Sequence, residues 1–98
     1  MKEFNLLVRG ERYWTVEKRN GYEVHNQDGL TLYTHKDTTG WHIIEKETGL
    51  FVIGYYATKK DAKKAVEGLL KVATTEHILK SVQSRLKGIQ TNLQYVAQ

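Results

Sequence analysis

Four histidines, His25, His35, His42 and His77, are the side chains of this 98-residue chain best suited to move protons or hold a metal near neutral pH. Their spacing fits no metal-ligand pattern, although a strand reading can bring His25 and His42 to one sheet face with Glu23 nearby. There is no cysteine, which removes disulfides, thiolate metal sites and cysteine nucleophiles. No G-x-x-x-x-G-K, G-x-G-x-x-G, H-E-x-x-H or G-x-S-x-G pattern occurs, and no carboxylate pair stands apart from ordinary cross-strand charges such as Glu17 and Glu23. The expectation is a protein that is not an enzyme and uses no cofactor and no metal. The chemistry left to it is that of lysine and arginine.

Those charges are unevenly placed. Residues 1–50 carry seven Lys/Arg against eight Asp/Glu, a net of −1, whereas residues 51–98 carry eight against three, a net of +5. The formal total is +4. A basic half fits nucleic acid or an acidic protein as partner, and equally a solvated lysine face. The contact candidates are Lys59, Lys60, Lys63, Lys64, Lys80, Arg85 and Lys87. No apolar run reaches membrane-spanning length, so no membrane partner is expected. Met1-Lys2-Glu3 opens no signal peptide, and the expected compartment is the cytoplasm.

The front half must present these groups as a sheet. Arg19-Asn20-Gly21, Gln27-Asp28-Gly29 and Glu47-Thr48-Gly49 each read as a three-residue hairpin loop ending in a glycine at positive φ. The strands are then about 12–18, 22–26, 30–34, 41–46 and 50–56, with Phe4–Val8 a candidate sixth at the edge. His35–Gly40 reads as a polar connection, and Gly54 within a strand marks a bulge or a close backbone approach. This register sets Trp14, Val16, Tyr22, Val24, Leu30 and Leu32 on one face, and pairs Ile43 with Ile53 and Trp41 with Tyr55. The other face carries Tyr13, Tyr33 and His42 among threonines. It is either a second contact surface or a layer covered by the second helix or the N-terminal strand.

The back half reads as two helices. Thr58-Lys59-Lys60-Asp61 is a capped start, and Ala62, Ala65, Val66 and Leu69 follow at helical spacing toward the sheet. Thr74-Thr75-Glu76 breaks the pattern and caps a second helix. There Leu79, Val82, Leu86, Ile89, Leu93 and Val96 recur as an a/d seam, which either joins two copies of the chain or packs on the chain's own core. The whole is one α+β domain over 1–98: an antiparallel five-stranded meander over 12–56, or six strands with the edge, then helices at 58–73 and 76–96.

The stretch Trp41-His42-Ile43-Ile44, Glu47-Thr48-Gly49 and Thr58-Lys59-Lys60-Asp61-Ala62 resembles the arm-site DNA-binding domains of phage and transposon integrases. In that family a W-x-I/V strand, a T-G turn, a second strand and a T-K-K-E-A helix start build a three-stranded sheet that lies in the major groove. The resemblance covers about residues 41–70. Residues 41–56 supply only Lys46 against Glu45 and Glu47, so here the phosphate contacts fall to the helical cations. In its short length, its lack of Cys and Pro and its T-K-K-D-A helix, the chain is also similar to small accessory proteins of Gram-positive phages and mobile elements. Some of these are anti-CRISPR inhibitors of host nucleases. That likeness implies a binding protein acting by steric occupancy of a macromolecular partner, a protein first. Nucleic-acid binding and a homodimer through the second helix are the alternatives.

Overall fold

The computed structural model describes the backbone of residues 1–97 and the side chains of residues 1–89. Five antiparallel strands, β1 (Lys2–Arg9), β2 (Trp14–Gln27), β3 (Leu30–Asp37), β4 (Gly40–Glu45) and β5 (Leu50–Tyr56), pair in chain order. Two helices follow, α1 (Lys59–Val72) and α2 (Thr75–Ala97). The α+β class and the sheet-then-helices order are as the sequence implies, but the strands are divided differently. Phe4–Val8 belongs to a true strand, and the segments 12–18 and 22–26 are one strand of 14 residues.

Arg19-Asn20-Gly21 is therefore not a turn. Gly21 lies inside β2 opposite Lys2, and its φ is not positive. It is glycine because a Cβ would sit 2.8 Å from the Thr34 carbonyl oxygen and 2.9 Å from Phe4 Cε1. The Phe4 ring fills the space that a side chain would need. The residues of β2 up to Gly21 pair with β1, and those from Tyr22 onward pair with β3.

The turns also differ from three-residue loops. Asp28 (φ 54°) and Gly29 (φ 81°) form a two-residue hairpin with both residues left-handed, the type I′ signature. A bulge at Val24 then returns Tyr22 to its place opposite Thr34. Thr38-Thr39 joins β3 to β4, so the expected connection at 35–40 is mostly strand. Residues 46–49 form the last turn, where the buried Glu45 carboxylate accepts from the backbone N–H of Glu47 (2.6 Å) and Thr48 (3.0 Å). Bulges at Val52 and Tyr55 preserve the Ile43–Ile53 pair but replace Trp41–Tyr55 with Trp41–Tyr56. Gly54 adjoins a bulge, the first of the two alternatives, and the close approach is by a side chain, since a Cβ there would lie 2.5 Å from His42 Nδ1.

The sheet is covered on both faces. Leu30, Leu32 and Ile43 pack against Ala62, Val66 and Ile78 of the helices, with Val24, Trp41, Ile53, Tyr56 and Leu69 around them. On the other face Phe4 and Leu6 of β1 pack against Tyr33 and Ile44, with Val8 and Phe51 beside them. Phe4 meets Tyr33 edge-on at 5.4 Å between ring centroids. Trp14 and Val16 are not part of the helix-facing layer, because β2 leaves that layer where it turns to β1; Val16 is 63% exposed. Thr58 and Thr74 cap the helices as expected, their hydroxyls accepting from Asp61 N–H and His77 N–H, each at 3.1 Å.

Candidate macromolecule-binding surface

The amphipathic period of α1 decides where its lysines go. Ala62 and Val66 are buried, Leu69 and Leu70 pack beside them, and Lys60, Lys63, Lys64 and Lys71 are exposed. None of these four lysines has a carboxylate within 4 Å among the described residues. Glu67 alone interrupts their face.

The other candidate cations are engaged elsewhere. Lys59 is half-buried, with Nζ 3.4 Å from the centroid of the Tyr22 ring, a cation–π contact that pins the first turn of α1 to β2. Lys80 pairs with Glu76 one turn away at 3.2 Å. Arg85 turns toward the sheet, where Nη1 donates to the Phe51 carbonyl at 2.5 Å. Lys87 is exposed on α2. The seven candidates are thus not one surface, and the coherent part is Lys60, Lys63 and Lys64, extended by Lys71.

The alternative face Tyr13, Tyr33 and His42 is a correction. Tyr33 is 2% exposed beneath Phe4 of β1 and His42 is fully buried against Phe51 and Tyr55 of β5, while Tyr13 lies outside at 53%. The sheet face that the integrase resemblance would lay in a DNA groove is therefore occupied by the chain's own N-terminal strand. The seam of α2 is divided too. Val82 and Ile89 are buried, and Leu79 and Leu86 half-buried, within the single chain. The side chains of Leu93 and Val96 lie outside the described residues.

The histidines serve the interior. His42 Nε2 lies 2.9 Å from Asp37 Oδ1 and 2.8 Å from Thr39 Oγ1. Thr39 also donates to Asp37 Oδ1 through its hydroxyl (2.6 Å) and its backbone N–H (2.7 Å). Since an ionised carboxylate only accepts, Nε2 carries the His42 proton and Nδ1 is left without a partner. Partial burial acts to raise the Asp37 pKa, but the Thr39 and His42 hydrogen bonds outweigh it and hold the carboxyl well below the usual range. His35 is lowered, first by burial and then by the charges of His42 and Arg19, with Asp37 opposing. No group of three His, Asp or Glu placed to hold a metal ion occurs among the described residues.

Compared with protein-family models, curated proteins and solved structures, the chain matches none. No helix among the described residues is long and apolar enough to cross a membrane.

Sequence reasoning missed one convergence. Arg9, Arg19 and Arg85 come from β1, β2 and α2 and line one cleft. No spacing signals it, because the approach of β1 to β5 brings these residues together.

Proposed function

We propose that the chain is a non-enzymatic binding protein that docks on an acidic macromolecular partner through the outer face of α1 and acts by occupying that partner. The observation that carries this reading is the row Lys60, Lys63, Lys64 and Lys71, exposed and without carboxylate partners among the described residues. Both sheet faces are spent on the core, which leaves the helices as the outward layer. Lys60 to Lys71 spans about 16 Å along the helix at 1.5 Å per residue, enough to engage several acidic groups at once. The likeness to phage and mobile-element accessory proteins favours a host or phage protein as that partner.

The same row favours one second reading. Exposed lysines on a helix also match nucleic-acid phosphates, and such binding releases counterions and weakens steeply with salt. Anisotropy titrations with mixed-sequence duplex and single strands, at low and at physiological salt, separate the two. Tight, salt-steep binding selects nucleic acid, and its absence even at low salt selects an acidic protein, which pull-down would identify. In either case Lys60→Glu, Lys63→Glu and Lys64→Glu together should abolish binding without lowering the melting temperature, because all three side chains are exposed. Unchanged affinity in this variant would exclude α1 as the contact.

A further inference from the structure

β1 and β5 are the end strands of the sheet, and they approach each other. The Leu7 N–H donates to the Gly49 carbonyl at 2.9 Å. Beyond that bond the two edges part, and a cleft of about 350 Å³ opens between Leu6–Arg9 on one side and Leu50-Phe51 on the other. That volume falls within the range of small-molecule sites. Trp14 and Phe51 are among its walls, and Arg9, Arg19 and Arg85 line it.

Two observations point to an anionic occupant. The first is that Arg9, Arg19 and Arg85 all line this one cleft, three cations whose summed field favours a negative occupant. The negative groups at hand are mostly engaged: Asp37 lines the cleft but accepts from Thr39 and His42, and Glu17 pairs with Arg19. Arg85 gives one N–H to Phe51 and keeps the others of its five. The second is His35, which lines the same cleft, is 4% exposed, and has a buried Nε2 with no hydrogen-bond partner. Buried polar atoms are normally paired, so the wall of this cleft holds an unmet polar group. The apolar walls argue against a bare inorganic ion.

We propose that this cleft is a binding site for a small amphiphilic anion, with its acidic group held by Arg9 and Arg85 and its apolar body against Trp14 and Phe51, beside His35. The site is separate from the α1 lysine face, and the two proposals stand or fall independently.

The test uses anilinonaphthalene sulfonate as an anionic aromatic probe and phenylnaphthylamine as the same ring system without the charge. The folded protein should bind the sulfonate with 1:1 stoichiometry, with amide shifts confined to residues around Trp14, His35 and Phe51. The neutral probe should bind at least tenfold more weakly. Arg9→Gln and Arg85→Gln should each weaken sulfonate binding about tenfold, as loss of a charge-assisted hydrogen bond does, and leave the neutral probe unaffected. Lys60→Gln with Lys64→Gln should change nothing. Should Arg85→Gln unfold the chain by freeing the Phe51 carbonyl, Arg9→Gln carries the test alone, since among the described residues no hydrogen bond holds the Arg9 side chain. Equal affinity for both probes, shifts located elsewhere, loss of binding in the lysine variant instead, or no binding would each overturn the assignment.

Discussion

Replacing Gly21 tests the long β2 strand directly. A turn glycine at positive φ tolerates asparagine well, whereas a strand glycine under an aromatic ring tolerates nothing larger. In Gly21→Ala the new methyl group would lie 2.8 Å from the Thr34 carbonyl oxygen and 2.9 Å from Phe4 Cε1. One obstacle is backbone in the neighbouring strand, so relief requires moving the ladder. Overpacking of this kind costs about 1–3 kcal/mol. Alanine recovers about 0.4–1 kcal/mol by restricting the unfolded chain. The net is about 1–2 kcal/mol of destabilisation, or a melting temperature lower by roughly 5–15 °C for a domain of this size. Gly21→Asn should be worse than Gly21→Ala. At Gly29, with φ 81° and open space around it, Asn should be the better tolerated of the two. Thermal and urea unfolding followed by circular dichroism reads all four variants. In a Phe4→Ala background part of the Gly21→Ala penalty should disappear, because one of its two obstacles is gone. A Gly21→Asn protein as stable as wild type would refute the continuous strand and restore a turn at 19–21.

Acid sensitivity should trace to two groups. Asp37 has a folded pKa below its unfolded value of 3.8, so its contribution is complete above 3.8 and is lost progressively as pH falls from there to the lower folded pKa; Asp37→Asn should flatten the urea midpoint below about pH 4. His35 is also depressed from 6.5, so protonation favours the unfolded chain and stability should decline as pH drops below 6.5, a limb that His35→Gln should remove. Paired replacement of Leu86 and Ile89 by Asp should destabilise the fold by more than about 3 kcal/mol, since Ile89 is buried in the single chain. A folded monomer from that variant, beside a dimeric wild type in sedimentation, would instead make the seam intermolecular.

Much of this architecture is legible in the sequence wherever the signal is local. Thr58 and Thr74 announce helix starts because a cap needs only its own hydroxyl and an N–H three residues on. The lysine face of α1 follows from helical period alone. Gly21 misleads because its reason is Phe4, a residue from another strand, and the sequence has no local mark for it. The bulges at Val24, Val52 and Tyr55 each shift the alternation by one residue. One of them sends Phe51 to the β1 side, stacked on His42 at 4.7 Å, away from the helix-facing layer. The burial of Tyr33 likewise depends on where β1 comes to rest. The arginine cleft is the extreme case, since three distant elements must meet before it exists.

Strand order in the sheet follows chain order throughout. Each ladder therefore closes a connection of only a few residues before gaining its hydrogen bonds, and the entropy lost at each step is small. A ribosome releasing this chain delivers every strand just after the neighbour it pairs with. The helix-facing layer is what must wait: Leu30, Leu32 and Ile43 lack their helical cover until Ala62, Val66 and Ile78 have emerged and coiled. The period in which a half-made chain is most prone to stick to others thus closes only once α1, the element whose outer face carries the lysines, and the first turn of α2 have been made.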